Sequence, residues 1–170
     1  MAFISVRAHT RGVRLVRYLD DWLVAHEDPN ILIQHRDWLL GLCSDMGIRV
    51  NLLKSELTPS RTTCYLGMEI DTVSATVRPS QKRIARLSAA LQEFRHADPP
   101  SAHQWLRLLG HMASVEAYTS EGRSHMRSLQ FCLSDAWSNR KPLFVPVRPN
   151  AAVHNDLLWW EDTCSLTQGV

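Results

Sequence analysis

The stretch Val13-Arg14-Leu15-Val16-Arg17-Tyr18-Leu19-Asp20-Asp21-Trp22-Leu23-Val24 places two apolar runs on either side of two adjacent carboxylates. Val, Tyr and Trp favour β-strands, so we predict a β-hairpin from about Val13 to His26 with Asp20 and Asp21 at its tip. Within a strand, consecutive side chains point to opposite faces, but at a turn both carboxylates can approach the same point. Because like charges at short range repel each other, we expect a divalent cation there. Carboxylate oxygens suit Mg²⁺ or Mn²⁺.

The length and composition describe a chain that can bury the core of one or two small domains, since 45% of its 170 residues are hydrophobic. The net charge is only +2, which does not by itself indicate a nucleic-acid partner. Its distribution is more informative, because five Lys or Arg residues and one acid lie between Arg78 and Arg95. From Pro149 onward there are three acids and no Lys or Arg. The middle of the chain is therefore its basic part.

The cysteines and histidines show no metal-binding spacing. The four cysteines form no Cys-x-x-Cys pair, so we expect buried free thiols in a reducing compartment rather than a zinc ribbon or a redox pair. His103 and His111 share a predicted helix but lack an acidic partner at zinc-site spacing. No signal-peptide pattern and no membrane-spanning apolar run occur, so we expect an intracellular protein, cytoplasmic or nuclear, with no membrane partner. The cysteines are Cys43, Cys64, Cys132 and Cys164.

The first half of the chain reads as strands and one helix. Residues 1–12 are expected to form a short lead-in that ends in a turn. After the hairpin, Asp28 at an N-cap and Pro29 in the first turn predict a helix that Gly47 ends. A short strand is expected at 48–50. A second strand is expected at 63–70, with a bulge or a close backbone approach at its glycine, followed by a returning strand at 75–77.

The second half reads as helices, because the apolar period changes from two to 3.6 residues. Ser80 can cap the first helix, and Ser101 with Gln104 forms a capping box for the second. A third helix is expected at 121–137 and a last one at 150–163. Strand pairs with one helix, followed by helices alone, indicate an α+β fold that continues into a helical bundle. The side chains expected in the helical core are Ile84, Leu87, Leu91, Phe94, Trp105, Leu108, Leu109, Met112, Val115, Met126, Leu129, Leu133, Trp137, Leu157, Leu158 and Trp160.

The tetrapeptide Tyr18-Leu19-Asp20-Asp21 resembles the Tyr-x-Asp-Asp box of reverse transcriptases, and the string from Arg17 to Val24 is most like polymerases of retroelements, among them the DIRS-like group. The resemblance implies template-directed nucleotidyl transfer by two divalent ions, Mg²⁺ or Mn²⁺. Asp20 would be the principal metal ligand and Asp21 the secondary one. The implied partners are deoxynucleoside triphosphates and an RNA or DNA template-primer duplex.

Two further segments follow in the order of that family. Asn51-Leu52-Leu53-Lys54-Ser55 resembles the segment whose lysine lies near the incoming triphosphate, so Lys54 would protonate the leaving pyrophosphate; a solvated lysine is the alternative. Tyr65-Leu66-Gly67-Met68-Glu69-Ile70 looks like the hairpin that grips the primer strand. There Gly67 would let the backbone approach the primer, whereas the alternative is an amphipathic strand with a bulge.

The segment Arg78-Pro79-Ser80-Gln81-Lys82-Arg83-Ile84 resembles the start of the thumb, the helical part that packs on the duplex. A basic helix face suits phosphates, although a merely solvated face has the same pattern. Leu157-Leu158-Trp159-Trp160 resembles the link before a ribonuclease H domain, or else closes the core of the last helix. The predicted domains are a partial polymerase palm of β-hairpins plus one helix at 1–78, a helical thumb at 79–140, and a connector towards an absent ribonuclease H domain at 141–170.

The resemblance thus names two groups of candidate residues. The catalytic candidates are Asp20, Asp21 and Lys54, of which Asp20 and Asp21 would also hold the metal. The candidate nucleic-acid contacts are Tyr18, Leu66, Gly67, Lys82, Arg83 and Arg86.

The expected site is incomplete, because the family places a third metal-binding aspartate upstream and none of the nineteen residues before Asp20 is acidic. Two hypotheses follow: a reverse transcriptase portion that is inactive alone, or a non-catalytic remnant that binds nucleic acid at most. A plain helical interaction module would explain the bundle but not the hairpin. Since the palm sheet would lack its other strands, we expect an uncovered edge that allows self-association, and an exposed Trp22.

Overall fold

A computed structural model describes residues 2–162 and 166–167 of the chain. The chain divides into two compact units, residues 1–61 and residues 62–170. Within the described residues, the first unit contains a two-stranded sheet and two α-helices, and the second contains a three-stranded sheet, four α-helices and two short 3-10 helices. The predicted α+β fold, with hairpins first and helices after, is therefore confirmed. Among the described residues, no helix is both long and apolar enough to cross a membrane.

The first unit begins with a helix that the sequence did not predict. Helix α1 spans Ala2–Thr10, where a lead-in was expected. Its buried side chains, Ile4 and Ala8, lie on one face of the helix, but Phe3 and Val6 are also apolar and are exposed on other faces, so the sequence shows no clear amphipathic stripe. The helix contacts strand β1, and the Val13 N–H donates to the Ala8 carbonyl at 2.9 Å. This contact fixes where the hairpin starts.

The predicted hairpin is confirmed. Strand β1 spans Arg14–Tyr18 and strand β2 spans Asp21–Ala25, paired antiparallel from Arg14 with Ala25 to Tyr18 with Asp21. The two residues between the strands form the turn. The carboxylate pair thus lies at the tip, as predicted.

Helix α2 spans Pro29–Asp45 and has both predicted ends. The Asp28 carboxylate accepts the Asn30 N–H at 2.7 Å, as an N-cap does. At the other end, Gly47 has φ 69° and its N–H donates to Ser44, while the Ile48 N–H donates to the Cys43 carbonyl. This Schellman motif closes the helix. The predicted strand at 48–50 is wrong, because the motif uses the Ile48 N–H that a ladder would need.

The second unit begins with a three-stranded antiparallel sheet in the order β3-β4-β5. Strand β3 spans Thr62–Tyr65, β4 spans Met68–Asp71 and β5 spans Thr76–Pro79. The single strand predicted at 63–70 is wrong, since Leu66 and Gly67 form a two-residue turn inside it. Both have left-handed backbone, with φ 51° and 76°, which tight hairpins require. The glycine therefore closes a hairpin instead of forming a bulge.

Four helices follow: α3 at Gln81–His96, α4 at Ala102–Ala113, α5 at Arg127–Ala136 and α6 at Ala151–Glu161. The capping box of Ser101 and Gln104 is confirmed. The third helix begins later than predicted, because two short 3-10 turns occupy 116–118 and 124–126. Thr163, the predicted end of the last helix, lies outside the described residues.

The helices share one apolar core, and the tryptophans in it have hydrogen-bond partners. Trp105 stacks edge-to-face on Phe94 with ring centroids 4.9 Å apart, and its indole N–H donates to the Val147 carbonyl at 3.0 Å. Among the predicted core residues, Leu158 is wrong, since it is 60% exposed and Val153 is buried instead, and Leu109 is only partly buried. Most of the predicted core is confirmed as buried: Ile84, Leu87, Leu91, Phe94, Trp105, Leu108, Met112, Val115, Met126, Leu129, Leu133, Trp137, Leu157 and Trp160.

The compact units do not follow the predicted domain bounds at 78 and 140. The three-stranded sheet belongs to the second unit, where the Ser80 N–H donates to the Gly67 carbonyl and ties the sheet to α3. Residues 141–149 pack beside the start of α4, with the Ala102 N–H donating to the Val145 carbonyl at 2.9 Å. The division into palm, thumb and connector is a functional one and stays a prediction.

The cysteine prediction holds for one residue and fails for another. Cys43 is buried, and burial raises the pKa of its thiol. Cys64 is exposed because strand β3 turns Thr62 and Cys64 away from the unit's interior. Cys132 is half-buried, and Cys164 lies outside the described residues.

We predict that two neighbouring leucines of α6 differ sharply in their contribution to stability. Leu157→Ala should lower the free energy of unfolding by about 2–5 kcal/mol, because it leaves a cavity in the core. Leu158→Ala is the matched control and should change it by less than about 0.5 kcal/mol. Urea denaturation of the full chain, followed by tryptophan fluorescence, measures both. Equal losses in the two variants would contradict the burial of α6 described above.

Candidate functional site

The tip of the β1–β2 hairpin holds the two candidate metal ligands. Leu19 and Asp20 form the turn, and Asp21 is the first residue of β2, paired with Tyr18. Asp20, Asp21 and Tyr18 are all exposed. The hairpin therefore presents both carboxylates and the tyrosine ring to solvent at one end of the sheet.

The turn is held by a side chain that sequence reasoning assigned no role. Leu19 has φ 49°, a left-handed conformation that costs a non-glycine residue about 1–2 kcal/mol. The Trp22 indole N–H donates to the Leu19 carbonyl at 3.3 Å. Trp22 is half-buried, so the expectation that this residue is exposed is wrong. In the sequence, the only indication of this hydrogen bond to the turn was the tryptophan that directly follows the two aspartates.

The hairpin fits a divalent cation in ligand type but not in ligand number. Two carboxylates supply the oxygen atoms that Mg²⁺ and Mn²⁺ prefer. Within residues 2–162 and 166–167, however, no group of three or more His, Cys, Asp or Glu side chains is placed to hold a metal ion. Asp20 and Asp21 thus offer part of a coordination sphere.

Lys54 lies in an exposed turn formed by residues 51–55. Its N–H donates to the Asn51 carbonyl at 3.1 Å and to the Asn51 side-chain oxygen at 3.2 Å. The Ser55 hydroxyl donates to the same carbonyl at 2.8 Å. Asn51 therefore organises the turn and leaves the lysine side chain in solvent, an arrangement that suits either a triphosphate contact or a solvated lysine.

The second unit brings three candidate nucleic-acid contacts together: Leu66, Gly67 and Arg83. The half-buried Arg83 guanidinium donates through Nη2 to the Leu66 carbonyl at 2.8 Å and through Nη1 to the Ser114 carbonyl. A Cβ placed on Gly67 would lie 2.7 Å from Arg83 Nε. The close approach expected at Gly67 is thus made in this structure by an arginine of the same chain.

The other two basic candidates, Lys82 and Arg86, lie exposed on α3. The first turn of this helix contains Lys82 and Arg83 and no acid. Cations at a helix N-terminus oppose the helix dipole, which costs roughly 0.3–1 kcal/mol each. Helix stability alone therefore does not account for the two cations of this first turn.

Two α4 residues that were not selected from the sequence as nucleic-acid contacts, His111 and Arg107, lie near charged residues of α3. His111 is half-buried, and its pKa is lowered by burial, and further by the nearby Arg107 and Arg86 guanidinium groups. Arg107 also pairs with Glu93. From the sequence, His111 was considered only as a possible metal ligand. Its proximity to Arg86 depends on how α3 packs on α4, which the sequence alone does not show.

The tryptophan pair of the predicted connector packs within the second unit. Trp160 is fully buried, and its indole N–H donates to the His125 carbonyl at 3.1 Å. Trp159 stacks on the His125 ring, with centroids 4.3 Å apart. The His125 Nδ1 lies 2.9 Å from a carboxylate oxygen of Asp156. Trp160 of the last helix thus lies in the core and Trp159 packs against it, while the resemblance to a link before a ribonuclease H domain stays a prediction.

The candidate residues fall in both units. Tyr18, Asp20, Asp21 and Lys54 lie in the first, and Leu66, Gly67, Lys82, Arg83 and Arg86 lie in the second. Their assigned roles in catalysis, metal binding and nucleic-acid binding remain predictions.

A comparison with solved structures shows a reverse-transcriptase-like fold. The chain is similar to the foamy viral protease-reverse transcriptase dRH in complex with double-stranded DNA, with a TM-score of 0.70 at 14% sequence identity. The similarity covers 99% of this chain and 27% of that chain, so the chain spans about a quarter of the length of the protein it resembles. No protein-family model and no curated protein matches it. At this identity the likeness shows the fold alone.

We predict that protonation of His111 destabilises the fold at acidic pH. Its pKa is lower in the folded chain than in the unfolded chain, so the unfolded state binds more protons and stability falls as pH drops through about 6.5. His111→Gln should lose less stability than the wild type between pH 7.5 and 5.5 in urea denaturation. His103→Gln, on the exposed side of the same helix, is the control and should behave as the wild type does. An unchanged pH dependence in His111→Gln would contradict the lowered pKa.

Proposed function

We propose that the chain is a portion of a retroelement reverse transcriptase, most like the DIRS-like group, with a partial palm followed by a thumb. The observation that supports this most is the exposed Asp20-Asp21 pair at the tip of a two-residue hairpin turn. The pair occurs in a chain whose fold is similar to a reverse transcriptase part over 99% of its length. In this proposal the hairpin supplies the carboxylate ligands for the metal ions, and the similar fold supports their assignment to a polymerase.

In this proposal Asp20 and Asp21 hold Mg²⁺ or Mn²⁺. When bound, such an ion activates the primer 3′-hydroxyl and neutralises the triphosphate. We expect two exposed carboxylates to bind such an ion weakly, and among the described residues no group of three or more His, Cys, Asp or Glu side chains is placed to hold it. Catalysis by two metal ions therefore requires at least one carboxylate beyond these two.

The proposed role of Lys54 concerns the deoxynucleoside triphosphate. An exposed lysine on a turn organised by Asn51 can reach a phosphate, and its ammonium group can donate a proton to the leaving pyrophosphate. We propose this role in the intact enzyme, where the triphosphate would be held by the metal ions.

The proposed nucleic-acid partner is an RNA or DNA template-primer duplex. The similar foamy viral structure was solved in complex with double-stranded DNA. In the present chain, Lys82 and Arg86 are exposed on α3, where their positive charges can contact duplex phosphates. Tyr18 at the hairpin tip and Leu66 at the second turn are the proposed contacts to the primer.

A second candidate function is a non-catalytic remnant that binds nucleic acid through its helices. In the part of the chain that the structure describes, no group of three or more His, Cys, Asp or Glu side chains is placed to hold a metal ion, and this observation favours the second candidate. Both candidate functions use the exposed Lys82 and Arg86 of α3 to bind nucleic acid. They differ in whether the β1–β2 hairpin takes part in nucleotidyl transfer. Self-association through the outer edges of the two-stranded β1–β2 sheet is a further proposal that applies to both.

We predict that duplex binding depends on Lys82 and Arg86. Removing two phosphate contacts with Lys82→Gln and Arg86→Gln should lower the magnitude of the slope of log K against log salt by about 1.8. Fluorescence anisotropy with a labelled RNA–DNA duplex, at several salt concentrations, measures it. The control is Arg123→Gln with Arg127→Gln, two exposed arginines on another part of the second unit, which should leave the slope unchanged. The same slope in both double variants would remove α3 from the proposed interface.

We predict that the chain alone does not extend a primer, although Mn²⁺ binds its hairpin. Titration with MnCl₂ should broaden the amide NMR signals of residues 18–22, because the paramagnetic ion lies near Asp20 and Asp21. Asp20→Asn should reduce this broadening, whereas Asp45→Asn, an exposed acid of the same unit, should not. Primer extension that Asp20→Asn abolishes would show that the site is complete, and broadening spread evenly over the chain would argue against a metal site.

A further inference from the structure

We propose that Arg83 is a positioning residue, which fixes the Leu66-Gly67 turn between the start of α3 and the end of α4 and does not itself bind a phosphate. The inference rests on the proposed function, in which this turn contacts the nucleic-acid duplex. It assigns Arg83 a different task from the neighbouring Lys82 and Arg86.

The first argument is the set of acceptors around the guanidinium. Nη2 donates to the Leu66 carbonyl, and Nη1 donates to the Ser114 carbonyl and approaches the Met68 sulfur at 3.6 Å. These acceptors belong to the β3–β4 turn, the following strand and the end of α4. A single side chain therefore joins three elements, and these bonds occupy two of its three nitrogen atoms.

The second argument is the space at Gly67. A Cβ there would meet Arg83 Nε at 2.7 Å and Nη2 at 2.9 Å, so the guanidinium lies directly against the glycine. Gly67 also has φ 76°, which disfavours a side chain. The glycine is thus needed twice, once for the turn and once for the arginine that covers it.

The third argument is electrostatic. Arg83 lies in the first turn of α3, where its charge opposes the helix dipole, but its Nη1 reaches the carbonyl of Ser114, the C-cap residue of α4. Cations are stabilising at helix C-termini, where carbonyl groups lack helical partners. The charge of Arg83 is therefore compensated inside the second unit, whereas Lys82 and Arg86 are exposed to solvent.

The fourth argument concerns what the turn presents. The Ser80 N–H donates to the Gly67 carbonyl at 3.1 Å, and Arg83 holds the preceding carbonyl, so both carbonyls of the turn are bound by α3 and its cap. The Leu66 side chain is 37% exposed. Because both carbonyls of the turn are hydrogen-bonded, the turn keeps the Leu66 side chain at a fixed position relative to Lys82 and Arg86 on α3.

The test compares Arg83→Gln and Arg86→Gln in duplex binding by the full chain, after circular dichroism has shown that each variant is folded. Arg83→Gln should weaken affinity for an RNA–DNA duplex about tenfold without changing the salt slope. Arg86→Gln should lower the slope by about 0.9. Arg83→Lys should not restore affinity, because a lysine lacks the planar fork that reaches two carbonyls. A slope lowered by about 0.9 in Arg83→Gln, or unchanged affinity, would overturn the proposal.

A double-mutant cycle tests whether Arg83 acts through the turn. Gly67→Ala displaces the guanidinium, so adding Arg83→Gln to it should weaken duplex binding no further. Full additivity of the two losses would overturn the proposal. If the wild-type chain binds no duplex at low salt, the proposed function fails, and amide hydrogen exchange then decides the positioning role. Faster exchange of the Ser80 N–H in Arg83→Gln than in Arg86→Gln supports it, and equal exchange overturns it.

Discussion

Two tight turns with left-handed backbone conformation are the constraint on which the rest of the candidate site depends. One turn carries the Asp20-Asp21 pair, and the other carries Leu66 and Gly67. A two-residue hairpin closes with the right strand twist only if at least one turn residue has positive φ. Leu19 meets this requirement with φ 49°, and Leu66 and Gly67 meet it with φ 51° and 76°. This conformation is unfavourable for leucine, and in each turn a side chain donates a hydrogen bond to the leucine carbonyl. The donor is the Trp22 indole for Leu19 and the Arg83 guanidinium for Leu66. The two turns expose the carboxylate pair and the Leu66 side chain to solvent.

Local physical signals in the sequence account for much of the fold. The helical period predicts which faces of α3, α4 and α5 are buried, and an unambiguous polar side chain marks three helix starts. Asp28 and Asn150 accept N–H groups of the first turn, and Ser101 forms a capping box with Gln104. The β1–β2 hairpin was equally predictable, because two strand-forming runs flank a polar turn. The position of Asp20 and Asp21 at its tip follows from sequence alone.

The remaining features depend on contacts between distant parts of the chain or on competing uses of one backbone group. Helix α1 buries Ile4 and Ala8, but Phe3 and Val6 are equally apolar on its exposed faces, so the local pattern does not show which face is buried. Ile48 has strand propensity, but its N–H completes the end of α2. The Leu66-Gly67 turn interrupts a run of residues that all suit a strand, so the run alone does not locate it. Arg83 resembles its basic neighbours in sequence, and only the approach of the α4 C-terminus separates it from Lys82 and Arg86.

The exposure of Asp20 and Asp21 weakens the argument that their mutual charge repulsion requires a metal ion. At about 4 Å in water, two charges repel each other by only about 1 kcal/mol, and Asp20 and Asp21 are both exposed. The pair can therefore persist without a cation, and charge repulsion does not imply one. The case for a metal site rests instead on the turn that brings the carboxylates to one end of a hairpin, and on the reverse-transcriptase-like fold around it. At 14% identity that similarity shows the fold alone, so the proposed metal site depends most on the geometry of the hairpin itself.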